Sequence, residues 1–304
     1  MPVRSSKAFE VLLRFILLNE IAMIAYTRVM TVSLVLVLLC AACDSGKGEN
    51  QPKKNEGKTQ TSVKTYQLNP QEKDLLGGIF YGQLYALADE SDVLDFTKQR
   101  VGDYVVTSAN QMQLDYEKNE VAGDIKYRKK IVFLKGQVAS IDRSIGENYF
   151  IGLKGGSNPF LNPKAKMADG YTNYLAALEK GQTVKLVCDG DGMLMGSATV
   201  TACKPLSVYV EERTKAIIES VDKEMSKIIA DESSKFRVLV VLSIVLAPKL
   251  QINSPCFTAT FDNQKCNKEL DQFLNQTSTM DELKNVAKKL GITLKDPTEN
   301  KGVK

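Results

Sequence analysis

The stretch Lys130–Ile141, KIVFLKGQVASI, decides how this chain folds. It is rich in β-branched and apolar residues around one glycine, Gly136, and reads as a strand that bends there. Before it, Ser108–Asp124 reads as a helical entry. After it, Asn148–Lys154 (NYFIGLK) reads as a second strand, and Gly155–Asp169, with its Gly, Pro and Asn, as a loop. Tyr171–Lys180 is expected as a short helix with Leu175 and Leu178 inward, closed by Gly181. Thr183–Cys188 (TVKLVC) and Ser197–Cys203 (SATVTAC) then form a strand pair around the turn signal Asp189-Gly190-Asp191-Gly192.

A small barrel with a helix before its last two strands is the OB arrangement. The segments ANQMQLDYEKNEVAGDIKYRKKIVFLKGQVASI, YLAALEKGQTVKLVCDGDG and TVTACKP resemble the tRNA-anti-like family of OB-type domains. Asn119, Ala122, Tyr127, Gly136, Lys180, Gly181, Gln182, Val184, Cys188 and Cys203 carry the likeness, which covers about a third of the chain. It implies a binding domain of a kind common in bacterial lipoproteins. The family's name reflects fold likeness to anticodon-binding domains and does not imply nucleic-acid binding.

The flanks read as helical, giving an α+β chain: a small OB-like β-barrel over 104–205, flanked by helices. Residues 65–103 carry apolar positions at Leu75, Leu76, Ile79, Leu84, Leu87, Val93, Leu94 and Phe96, with Gly77-Gly78 dividing them into two short helices. In 206–304, Val208–Ile229 reads as a helix with Ile217, Val221, Met225 and Ile228 on one face. Phe236–Ala247 (FRVLVVLSIVLA) is too short to span a bilayer, and its β-branched composition favours a buried strand over a core helix. Thr279–Gly291 reads as a last helix, with Thr279 and Glu282 as a capping box.

The beginning of the chain points to export. Val29–Ala42 (VMTVSLVLVLLCAA) is an uncharged run of secretory-signal length behind Arg28, with Met23 as the expected initiator. Leu39-Cys40-Ala41-Ala42-Cys43 resembles a lipobox: small residues admit the peptidase and the Cys43 thiol accepts lipid. Residues 1–42 are therefore expected as a signal peptide. Residues 43–64 are expected as a lipid anchor and flexible tether, because Asp44–Lys64 has a single apolar residue, Val63. As a coil it would span roughly 25 Å. Asp44 resembles the signal that keeps enteric lipoproteins in the inner membrane, so a periplasm-facing, inner-membrane location is expected.

Six cysteines are present. With Cys40 removed and Cys43 lipidated, four remain, and in an oxidising compartment the local pairs Cys188–Cys203 and Cys256–Cys266 are favoured. The C-x₂-C spacing of a zinc site is missing, and no metal or cofactor is expected. The chain has no His, which excludes Ser-His and Cys-His catalysis. It carries 40 basic and 36 acidic residues, and residues 100–205 carry 14 and 11, too balanced for a nucleic-acid domain.

No catalytic residue is nominated. A binding face is expected at Tyr127, Arg128, Lys129, Lys130, Phe133 and Tyr149, where aromatic rings could stack and cations could neutralise phosphate. The leading reading is a non-enzymatic envelope module held by lipid on Cys43, contacting an envelope protein or small ligand. An OB nucleic-acid binder is the alternative, and a hydrolase with an unrecognised site comes third.

Overall fold

Strand β2 (Ile131–Arg143) is the spine on which the other strands assemble. The computed structural model describes residues 66–292 apart from 92, 94, 144–148 and 232–235, so the expected signal and tether, with Cys43 and Asp44, lie outside the described residues. The described residues divide into two compact units, one within 73–223 with 257–261, the other within 66–72, 224–256 and 262–292.

In the first unit, helices α1 (Pro70–Ala88) and α2 (Asp95–Val101) precede strand β1 (Tyr104–Ser108), then helices α3 (Ala109–Lys118) and α4 (Glu120–Tyr127). After β2 come β3 (Tyr149–Leu153), β4 (Lys164–Met167), helix α5 (Thr172–Ala176), β5 (Thr183–Leu194), β6 (Ser197–Pro205) and helix α6 (Leu206–Ala230). Ile131–Gln137 of β2 pairs antiparallel with β5, and Val138–Arg143 pairs antiparallel with β3, the register shifting between Val138 and Ser140. The sheet then runs β3–β4–β6–β5, which returns to β2 and closes five strands into a barrel. β1 adds a parallel edge along Ile131–Lys135. This is the α+β, OB-like barrel that the sequence implies.

The composition of β2 follows from burial on both faces. Val132, Leu134 and Val138 point into the barrel with Val184, Leu186 and Cys188 of β5. Phe133 and Val187, opposite one another in register, point the other way into a second cluster with Leu84, Leu87, Val101 and Val210. A strand covered on both sides has no polar face, so its apolar residues run together instead of alternating.

Several local readings need correction. Helix α1 runs unbroken through Gly77-Gly78, where the bare backbone admits the Thr258 hydroxyl: a Cβ on Gly77 would lie 2.6 Å from it. The loop expected over Gly155–Asp169 contains β4, and β1 precedes α3. Asp189-Gly-Asp-Gly is not a turn but part of β5. The reversal falls at Met195-Gly196, both with positive φ.

The second unit holds α7 (Phe236–Leu246), α8 (Asn263–Leu274) and α9 (Thr277–Lys289). Phe236–Ala247 is thus a helix and a 3₁₀ turn, not a strand. Eight of the eleven residues of α7 are buried, Ser243 among them with its hydroxyl donated to the Leu239 carbonyl at 2.9 Å, so a helix apolar nearly all round is what its position requires. Helix α9 starts two residues before Thr279, which is buried inside it. The Thr279–Glu282 capping box therefore does not form, and Glu282 pairs with Lys249 instead. Cys256 and Cys266 lie at disulfide distance, Cα to Cα 4.6 Å, with Cys266 in the first turn of α8.

Candidate ligand cleft

Polar side chains line the place where β3 ends against the start of α3. Ser108 caps α3, its hydroxyl accepting from the Gln111 amide at 3.1 Å, and this places Ala109 and Asn110 at the helix mouth. The chain leaving β3, Lys154-Gly-Gly-Ser157, crosses directly over that mouth. It can do so because Gly155 has no side chain: a Cβ there would lie 2.7 Å from the Asn110 Cα. The crossing is tied down at three points. Gly156 N–H donates to Asn110 Oδ1 (3.0 Å), Lys154 N–H to the Gln137 carbonyl (2.8 Å), and the Ser157 hydroxyl to Glu117 Oε2 (2.7 Å). The Ser157 hydroxyl and then its backbone N–H hold the Glu117 carboxyl below its usual pKa.

Between this crossing, β2 and the loop to β4 lies a cleft of about 650 Å³, lined by Asn110, Gln137, Lys154, Ser157, Pro159 and Asn162 among others. Its chemistry is three amides, a hydroxyl and one ammonium, with Ala139 and Pro159 as apolar wall. Lys154 is the single ionisable side chain among the lining residues. Sequence reading passed over these residues because amides and glycines carry no motif of their own. The signal was the Gly-Gly pair immediately after a strand.

The face expected from sequence does not assemble. Tyr127 and Phe133 are buried, so neither ring can stack on a ligand. Phe133 meets Tyr104 and Tyr209 edge-on in the second cluster. The Tyr127 hydroxyl donates to Asp115 Oδ2 at 2.5 Å, and Lys126 Nζ bonds the same oxygen at 2.7 Å. Arg128 pairs with Asp124, and Lys130 stands 4.0 Å from Asp103. Lys129 sits at positive φ in the turn into β2, its N–H donated to the Gly190 carbonyl. Tyr149 is exposed beside Arg143 at the far end of β2. Only the cations and Tyr149 reach solvent, and the length of β2 lies between them.

A different aromatic–cation pair does exist. Phe150 on β3 is opposite Lys166 on β4, and Lys164 Nζ lies 5.7 Å from the Phe150 ring centre. Cys188 and Cys203, on β5 and β6, lie at disulfide distance with Cα atoms 4.1 Å apart. Among the described residues no group of three or more metal-ligating side chains comes together, and no helix is long and apolar enough to cross a membrane.

The sequence profile of the tRNA_anti-like family matches residues 12–204, more than half of the chain. No curated protein matches in sequence. Among solved structures the chain is similar to a candidate nucleic acid-binding lipoprotein from Klebsiella pneumoniae subsp. pneumoniae MGH 78578, at 14% identity and a TM-score of 0.27, over 33% of this chain and 90% of that one. A likeness that shallow carries no argument about what this chain binds.

Proposed function

The chain belongs to the tRNA_anti-like family, and on that footing we propose that it is a non-enzymatic binding module of the cell envelope, lipid-anchored through Cys43 and periplasm-facing, that takes a small polar ligand in the cleft beside α3. The cleft's lining carries the reading. Amides and a hydroxyl exchange hydrogen bonds with hydroxyl groups, and Lys154 supplies one positive charge for an acidic substituent. Acid–base or nucleophilic catalysis needs paired titratable groups, and one lysine among amides does not provide them. A sugar acid has the matching chemistry.

Thermal melts against a panel of neutral sugars and sugar acids test this, since a ligand that binds only the folded chain raises the midpoint as its concentration rises. A sugar acid should stabilise the protein and its neutral parent should do so less. Lys154→Ala should abolish the difference, and Asn162→Ala should weaken the response. A flat panel overturns the reading.

A nucleic-acid ligand is the second reading, favoured by Phe150 between Lys164 and Lys166 on the outer barrel wall. It requires single-strand binding that weakens steeply with salt and is lost in Phe150→Ala.

A further inference from the structure

One end of the barrel exposes apolar side chains that no packing argument explains. Met195 at the tip of the β5–β6 hairpin is 88% exposed, its neighbour Leu194 59%, and Phe160 in the β3–β4 loop 90%. Val121 and Ile125 on α4 are 71% and 73% exposed.

These residues share one end of the barrel. A Cβ on Gly196 would lie 3.1 Å from the Leu161 side chain, so the Phe160–Leu161 loop rests against the hairpin turn. Helix α3 holds the same turn, with Gln113 Nε2 donating to the Gly196 carbonyl at 2.7 Å and Oε1 accepting from Ala198 N–H at 2.8 Å. Gly190 packs on the Tyr127 carbonyl and Gly192 on Asp124, so β5 runs antiparallel to α4 and heads toward the end of α4 that carries Val121.

Met195 adds a second, independent oddity. Its φ is +52° and that of Gly196 +81°, a two-residue reversal in which Asn or Gly is the relaxed choice at the first position. A methionine held in left-handed backbone and turned to solvent gives up stability without a packing return, a conflict expected where another task sets the residue.

We propose that this end of the barrel docks on the surface of a phospholipid bilayer, with Phe160, Leu194 and Met195 entering the interface and Val121 and Ile125 beside them. The proposal rests on the lipid-anchor reading and deepens it. Tips from separate segments make a convex surface, which a fluid interface accepts without the matching contour that a protein partner must supply. The tether expected over 44–64 would keep the domain within a few tens of ångströms of the anchor, roughly 25 Å on average, so weak insertion suffices to hold it down. Helices α3 and α4 carry no excess of positive charge, with Lys118, Lys126 and Arg128 against Asp115, Glu117, Glu120 and Asp124, so apolar insertion and not attraction to anionic lipid drives the contact.

The chain has no tryptophan, so a single introduced one reports its own surroundings. The full chain, made in a host that processes lipoproteins, is reconstituted into phosphatidylcholine vesicles as Phe160→Trp, Leu194→Trp or Met195→Trp. Lys180→Trp, just before the opposite end of β5, serves as control. Emission should shift to shorter wavelength and be quenched by lipids brominated near the headgroup at 160, 194 and 195, not at 180, and high salt should leave this unchanged. Flotation without quenching at 160, 194 and 195 overturns the docking and leaves the anchor standing. Quenching and flotation that persist in Cys43→Ser keep the docking and show that it holds without the anchor. Failure to float in excess lipid overturns both. Equal quenching at all four positions overturns the orientation. A shift that grows with protein concentration in vesicle-free detergent assigns the surface to a second copy and overturns the proposal.

Discussion

Tyr127 shows how a residue read as part of a binding face becomes structural, because its ring is buried and its hydroxyl bonds the carboxylate of Asp115. Burial works to raise the pKa of Asp115, but hydrogen bonds from Lys126, Tyr127 and Gln111 outweigh it and hold the carboxyl below its ordinary value of 3.8. The Tyr127 ring is buried against Tyr116, and its hydroxyl pKa is raised by burial and then by Asp115. Tyr127→Phe should therefore cost about 1–3 kcal/mol, read by chemical denaturation, because it strips a donor from a charged acceptor. An acid whose folded pKa is depressed stabilises the fold above its unfolded pKa and ceases to as pH falls through the folded value. The wild type should thus lose stability on acidification below about pH 4, and Asp115→Asn should flatten that limb. An equal acid limb in both proteins would remove Asp115 from the account.

Among the elements, the β5–β6 hairpin makes the clearest case for what a sequence shows and hides. Both strands and their cysteines are legible from β-branched runs, but Asp189-Gly-Asp-Gly is the stronger written turn signal, and the chain turns six residues later. The glycines serve packing: a Cβ on Gly190 would fall 2.0 Å from the Tyr127 carbonyl oxygen, so β5 can lie against the end of α4 only without one. Composition cannot distinguish a glycine kept for close approach from one kept for a turn. The same limit applies to α7, where a buried helix and a buried strand share an apolar composition and only length separates them. It applies to the cleft as well, since its amides acquire meaning only once β3 crosses α3. Met195→Asn should stabilise the hairpin by roughly 0.5–1 kcal/mol, because Asn tolerates left-handed backbone better. An unchanged melt would show that the strain at Met195 is relieved elsewhere. Replacing both Cys188 and Cys203 by Ser should cost about 2–4 kcal/mol, more than the same change at Cys256 and Cys266, because it frees the longer loop, 15 residues against 10. Equal losses in the two double variants would contradict that ranking.

For the molecule as a whole, what matters is where the barrel is held, and the sequence around Cys43 argues for a membrane. A charge-free run of 14 residues ending in Ala41-Ala42, just before Cys43, would give a signal peptidase small side chains to approach and leave a thiol to carry lipid. The two cysteine pairs at disulfide distance accord with an oxidising compartment. Labelled palmitate should therefore enter the protein and disappear in Cys43→Ser, while unchanged labelling in that variant would refute the anchor. Asp44 sets the second half of the test. In an enteric-type host the protein should fractionate with the inner membrane, and Asp44→Ser should move it to the outer membrane. The two results separate cleanly, because lipid attachment depends on the thiol and sorting on its neighbour. Recovery of the unaltered protein from the outer membrane would discard the sorting role of Asp44 and leave the lipid on Cys43 in place. The barrel would then meet its ligand from a different surface with the same cleft.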